Sequence, residues 1–381
     1  LRGIRDVSDL RYEFQLALDI PEAASAPPSL LRNSTVSDRA ALTIDPGSRS
    51  IAGADKSGAK YAFDTGRFMG KEVYLGELRT DDAGRLIVLG GRGVSASYDG
   101  SVAVTFANNE GWHDDTADGP VTATVTYKEK PLKVDPAWVI SAPPNYAPMQ
   151  KSVRTMWDLM RDIAVTAGTL ARPERPSFTR DIAPIFQRMT GLQWVNAGFA
   201  AAFGWKGWSD LATPDWLARL NDPSAAGTEF RRTLYNQFRN PEQDAWSPVP
   251  WPWVYGDAMS VPAAKTWRQM TMLTPLQMSM LQQWVNGDFE ADWDPARTPP
   301  RTIEDVPLAE QGDALTRAAM EFCLADAFHP GCELTWPMRS YSMYMAPFRI
   351  AHAKKGQKEV SYGAALTQDT LQIPDGPLGV Q

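Results

Sequence analysis

The chain holds 381 residues, 43 % hydrophobic and 22 % charged, with 28 glycines and 30 prolines; this composition excludes wholesale disorder, and the length suffices for two or three domains, each with its own core. A formal net charge of −7 without a long basic run argues against a nucleic-acid or anionic-membrane partner, and no apolar run approaches the roughly 20 residues that span a bilayer. Three histidines (His113, His329, His352) and two cysteines (Cys323, Cys332) exclude a disulfide framework and fit no standard zinc spacing, so any chemistry rests on few residues or on a cofactor.

In chain order, residues 1–135 read as a β-rich N-terminal domain. Leu1-Arg2-Gly3-Ile4 carries no secretory apolar region. Short alternating runs recur at Tyr12 to Leu18, Ala41 to Ile44, Glu72 to Leu75, Arg85 to Leu89, Val102 to Phe106 and Val121 to Tyr127, each bounded by turn residues. Asp81-Asp82-Ala83-Gly84 joins two of them as a hairpin turn. This spacing predicts an antiparallel, sandwich-like arrangement.

Residues 136–381 read as a mainly helical domain with long loops, giving an α+β chain overall. A proline-punctuated connector holding Trp138 and Tyr146 comes first. Ser152 to Leu170 then carries Val153, Met156, Trp157, Met160, Ile163 and Ala164 at helical spacing. Asp181 is placed to cap a short helix running to about Met189, with Pro184 in its first turn. Thr274-Pro275 marks the start of another helix, and Leu308 to Ala325 is a further one.

Three segments are candidates for chemistry. The stretch Met320 to Pro337 holds both cysteines, His329, Asp326 and two further acids around a Pro330-Gly331 turn; a thiol there is read either as a nucleophile, ligand or cross-link donor, or as a buried cysteine at the end of a packed helix. A thiol hydrolase pairing Cys323 or Cys332 with His352 or His113 is a weaker alternative, because no nucleophile-elbow pattern surrounds either cysteine. The acidic loop Asn108 to Pro120 offers oxygen ligands for calcium but lacks EF-hand spacing, so ordinary turns are the competing reading. Ser141 to Pro148 reads as a rigid pocket wall with the Tyr146 hydroxyl as its polar tip, or as a domain-joining strap.

Several stretches, in order, resemble the LodA-like amino-acid oxidases, which include L-lysine ε-oxidase and a glycine oxidase. They are Leu42 to Gly53; Leu75 to Asp81 followed by Gly84 to Gly91; the Asn108–Pro120 loop; Pro143 to Pro148; and Cys323 to Glu333. The resemblance runs from near residue 30 to the C-terminus. It implies an oxidoreductase that deaminates an amino acid or primary amine with O2, giving an aldehyde or keto acid, ammonia and hydrogen peroxide. The implied cofactor is cysteine tryptophylquinone, a protein-derived quinone made by cross-linking a Cys sulfur to an oxidised Trp, with a flavoprotein partner assisting its maturation.

On this resemblance Cys323 takes the cofactor position, with Cys332 the second choice. Asp326 would orient or deprotonate the thiol during cross-linking, Tyr146 would line the substrate pocket, and His352 is a further catalytic candidate. Leu324-Ala325-Asp326 departs from the small, Gly-rich residues usual in the family. The partner Trp lies several tens of residues after the Cys in relatives, whereas only Trp336 follows Cys323 here. The chain is therefore expected to be an internal fragment, inactive alone, with the partner Trp beyond residue 381. The alternative is a non-catalytic relative lacking the quinone. Homo-oligomerisation, substrate identity and compartment (cytoplasmic during maturation, with or without export) are left open.

Overall fold

Short runs of β-prone residues broken by turns pair locally, and the computed structural model pairs them two by two. It describes residues 3–4, 33, 35–104, 109–141, 150–207, 209–239, 251, 272–321 and 344–352. The chain divides into two units, Leu1–Pro144 with Arg349–Leu378, and Asn145–Phe348 with Gly379–Gln381.

In the first unit β1 (Gly3–Ile4) pairs with β2 (Thr43–Ile44), β3 (Gly66–Phe68) with β4 (Lys71–Val73), and β5 (Glu77–Thr80) with β6 (Leu86–Leu89). Strand β7 (Ser95–Ser97) pairs with β8 (Trp112–Asp114). Strand β9 (Ala117–Val121) pairs with β12 (Ala137–Ser141), enclosing the hairpin β10 (Val125–Tyr127) and β11 (Lys130–Leu132). Every one of these pairs is antiparallel, and β14 (Arg349–Ile350) returns to this unit from the far end of the chain. Leu42, Ile44, Phe68 and Leu75 are fully buried and gather Phe63, Val73 and Ala117 into one core.

The predicted turn holds: Gly84 takes φ +76° with its N–H on the Asp81 carbonyl at 3.0 Å, while Asp81 Oδ1 accepts from Arg85 N at 2.8 Å. Gly76 sits at φ +126°, and a Cβ there would stand 2.0 Å from the Leu89 carbonyl oxygen, so only glycine lets β5 start this close to the end of β6. Three expected runs differ. Ala41 and Leu42 belong to a 3-10 turn, Arg39–Leu42, which leaves only Thr43–Ile44 of that run as strand. Val121 to Tyr127 splits, β9 ending at Val121 and β10 starting at Val125. Residues 101–104 form no strand; the Val104 N–H is taken by Asn109 Oδ1 at 2.7 Å rather than by a ladder partner. Tyr12 to Leu18 lies outside the described residues.

The second unit is helical: α1 (Met156–Thr166), α2 (Ala183–Gly191), α3 (Ala197–Phe203), α4 (Pro214–Leu220), α5 (Thr228–Tyr235), α6 (Pro275–Val285) and α7 (Gln311–Glu321), followed by strand β13 (Tyr344–Ala346). Helix α1 starts with a reciprocal capping box, Thr155 and Asp158 each satisfying the other's backbone N–H. Helix α6 starts as the Thr274-Pro275 pair predicts, with the same device between Thr274 and Gln277. The expected Asp181 cap is corrected: Ser177 accepts from Arg180 N at 3.0 Å and opens a single π-helical turn, Phe178–Ile182, ahead of α2. Asp181 instead takes the Ser177 N–H at 2.9 Å and Arg161 at 2.6 Å. That turn carries the chain into Ala183-Pro184, where proline has no N–H to be satisfied.

Trp284 anchors the core of this unit. It is fully buried, tilted against Phe186 at 5.4 Å, and its indole N–H donates to the Leu220 carbonyl at 2.8 Å. Asp162 Oδ1 accepts from Leu276 N at 2.8 Å, which ties α1 to the start of α6. The architecture is α+β, an antiparallel strand-rich part followed by a helical part. Among the described residues no helix is long and apolar enough to cross a membrane.

Candidate functional site

Of the residues singled out in the sequence, Cys323, Cys332, Asp326 and Tyr146 lie outside the described residues. What the structure shows is the helix that precedes the cysteine-bearing segment in sequence, and the side chains around its last residue. Helix α7 ends at Glu321, two residues before Cys323. The Glu321 carboxylate, 8 % exposed, receives three cations: Lys151 Nζ, Arg317 Nε at 2.6 Å and the Arg188 guanidinium at 3.8 Å. Arg188, itself buried, also grips Asp158 Oδ2 at 2.5 Å. One oxygen of Asp158 thus serves the α1 capping box and the ion cluster together.

Each member is set by local structure. Arg317 and Glu321 are four apart on α7 and so share a face. Asp158 is fixed by the capping box, and Arg188 projects from α2. Burial pushes the Glu321 carboxyl up, but the Arg317 charge and the hydrogen bonds from Lys151 and Arg317 outweigh it and hold the carboxyl below the ordinary glutamate range. Among the described residues three cations, Lys151, Arg188 and Arg317, and two carboxylates, Glu321 and Asp158, form this cluster. Trp157 of α1 adds an aromatic wall. Phe348 stacks on it at 4.1 Å and 4°, and the Arg317 guanidinium carbon lies 5.7 Å from the same ring.

His352 lies in the other unit, against β12. Its Nε2 is 3.2 Å from the Ala137 carbonyl oxygen, and its ring meets Trp138 edge-on at 5.5 Å. The Trp138 indole N–H in turn donates to Asp118 Oδ2 at 2.7 Å. In the acidic loop the carboxylates serve the backbone around them. Asp115 Oδ2 accepts from Arg92 N and Val94 N, Asp114 Oδ1 accepts from both Thr116 N and its hydroxyl, and Glu110 Oε2 accepts from Asn33 N. Among the described residues no three His, Cys, Asp or Glu side chains gather as a metal site would require.

The donor set of a cysteine tryptophylquinone is a thiol beside an indole, and both cysteines lie outside the described residues. The ion cluster itself was missed by sequence reasoning. Its readable signals were Thr155-x-x-Asp158 and the Arg317–Glu321 spacing; Lys151 and Arg188 join it only through tertiary packing.

Residues 8–141 match the family model described as L-Lysine epsilon oxidase N-terminal, and residues 255–377 match that described as L-lysine epsilon oxidase C-terminal domain. The chain is 26 % identical to the L-lysine 6-oxidase of Marinomonas mediterranea over 376 residues, covering 83 % of this chain and 47 % of that protein. The crystal structure of the L-Lys epsilon-oxidase from Marinomonas mediterranea superposes with a TM-score of 0.61 at 22 % identity, over 93 % of this chain and 56 % of that one. The structure of that enzyme's Schiff base intermediate with L-Lys gives 0.62 at 23 %, with the same coverage. At these identities the structural likeness establishes the fold, and the chain spans about half the length of the relatives it matches. With both ends of the family pattern present in order, the chain belongs to the LodA-like L-lysine epsilon-oxidase family.

Proposed function

We propose that this chain is part of a quinone-dependent amino-acid oxidase that deaminates a primary amine with O2, giving an aldehyde or keto acid, ammonia and hydrogen peroxide. The observation that carries this reading is the match to both family models, together with a curated relative named for lysine oxidation. L-Lys, the amino acid held by the matched enzyme, is the first substrate to test. The cofactor in this reading is cysteine tryptophylquinone, which supplies an electrophilic carbonyl to a substrate amine. Cys323 provides its sulfur, with Cys332 the second choice, and its indole comes from beyond residue 381.

The chain's own groups have supporting roles. Cys323 follows Glu321, which binds Lys151, Arg188 and Arg317, by two residues in the sequence. A thiolate is the form needed for cross-linking, with Asp326 as the group that accepts or orients the proton. Tyr146 lines the substrate pocket. His352 is the remaining catalytic candidate, and a flavoprotein is the maturation partner.

The test is intact-mass and peptide mapping of the full-length protein produced together with the maturation flavoprotein, alongside peroxide release across an amino-acid panel. The expected result is Cys323 in thioether linkage to an oxygenated Trp, and peroxide formed with at least one amine. Finding Cys323 free to alkylate and no peroxide overturns the proposal in favour of a non-catalytic relative.

A further inference from the structure

One stretch of the strand-rich unit stands clear of its core. Every residue from 122 to 135 is exposed, and within it β10 and β11 pair with each other as a separate two-stranded ladder. Val125 is 41 % exposed, Tyr127 61 % and Leu132 50 %. A hairpin with no buried face has little of its own to hold it together. Its turn adds strain: Lys128 and Glu129 take φ of 47° and 60°, at the two central positions that such turns normally give to Asn and Gly. Side chains kept where glycine would sit without strain point to a use for the tip.

The two edges of this ladder are not alike. Val125 stands opposite Leu132, Thr126 opposite Pro131 and Tyr127 opposite Lys130. A two-residue turn closes on a pair that exchanges ladder hydrogen bonds, here Tyr127–Lys130, so the next pair, Thr126–Pro131, turns its backbone polar groups outward. On the β11 side that position is proline, which has no N–H, and the edge is blunted against pairing. On the β10 side Thr126 presents both its N–H and its carbonyl to solvent, between the exposed apolar side chains of Val125 and Tyr127. The charge is local as well. Between Val125 and Val134 the lysines Lys128, Lys130 and Lys133 outnumber Glu129, in a chain of net charge −7; Asp135 follows outside the ladder.

We propose that the free edge of β10 takes up an extended acidic segment of a partner protein as a third strand. Backbone pairing to Thr126 sets the register, alternate apolar residues of the incoming strand rest beside Val125 and Tyr127, and its carboxylates meet Lys128 and Lys130 at the turn. Other occupants fit this edge less well. A second copy would set lysines against lysines. A lipid surface would have to take in the Glu129 carboxylate at the tip, and a nucleic acid would meet the acidic remainder of the chain. The inference stands independently of the oxidase reading.

The experiment is titration of the full-length protein with a short fluorescent peptide alternating glutamate and valine, with amide exchange at Thr126 followed on the same samples. The expected result is saturable binding that weakens with salt, and exchange at Thr126 slowed at least about 10-fold in the complex relative to the protein alone. K128Q/K130Q should raise the dissociation constant at least about 10-fold. Thr126→Pro, which removes the outward N–H and no ladder bond, should abolish binding. A peptide N-methylated on its pairing amides should fail likewise, and carries the test if that variant does not fold. Absence of peptide binding overturns the proposal. So does equal binding of a lysine–valine peptide or of the N-methylated one, or binding of anionic vesicles in place of the peptide. A Thr126 amide already protected in the protein alone also overturns it, because another strand of this chain or of a second copy then holds the edge.

Discussion

Trp157 and Phe348 lie face to face, ring centroids 4.1 Å apart and planes 4° from parallel. They stand on opposite sides, in sequence, of the segment that carries both cysteines. Phe348 holds a positive φ of 60°, which costs an aromatic residue roughly 1–2 kcal/mol, so the stack offsets local backbone strain. Trp157→Ala removes the stack and the neighbouring contact with Arg317, and should lower unfolding stability by about 2 kcal/mol in urea titrations. Trp157→Phe should recover more than half of that loss. Equal losses for both would mean that the stack itself contributes nothing.

The Glu321 cluster predicts a pH dependence. The folded carboxyl titrates below its unfolded value, so its stabilisation is complete above about pH 4.3 and disappears as pH falls through the folded value. Glu321→Gln should flatten that acid limb. Glu321→Ala should cost about 3 kcal/mol at neutral pH, because Lys151, Arg188 and Arg317 each lose an ion-pair partner. Thermal melts between pH 3 and 7 separate these outcomes; an acid limb unchanged in the Gln variant would show that other carboxylates control it.

Gly76 and Gly58 both hold strongly positive φ, +126° and +122°, but only at Gly76 would a Cβ strike backbone, the Leu89 carbonyl oxygen; at Gly58 nothing lies within 4 Å. Gly58→Ala should therefore cost only the strain, about 1 kcal/mol. Gly76→Ala should cost at least about 3 kcal/mol or prevent folding of the strand-rich unit. Equal effects in chemical denaturation would refute the close-approach argument.

The N-terminus of α6 offers a smaller, cleaner test. Thr274 is fully buried and exchanges two hydrogen bonds with Gln277 at 2.9 and 3.1 Å. Thr274→Ala should cost about 1–2 kcal/mol in equilibrium unfolding, whereas Thr274→Ser should be nearly neutral.

Local signals carried much of the fold. The Asp81–Gly84 turn, the Thr274-Pro275 helix start and the periodic face of α1 all appear where residue chemistry puts them, because each is decided within a few residues. The Asp181 cap failed because Ser177, four residues earlier, competes for the same turn and binds Asp181 itself. The family-like glycines of Leu75 to Gly91 were legible as a pattern, but their cause was not: Gly76 and Gly91 are required by the Leu89 carbonyl and the Asp115 carboxylate, residues brought alongside only by folding. The same limit hid the ion cluster, since Lys151 and Glu321 stand 170 residues apart in sequence.

That separation orders events at the ribosome. Asp158 and Arg188, which pair with each other, and Lys151 are synthesised well before Glu321, so the Glu321 contacts of Arg188 and Lys151 can form only after α7 has emerged. Closing such a distant contact is slow, which makes docking of α7 a late step in assembling this unit.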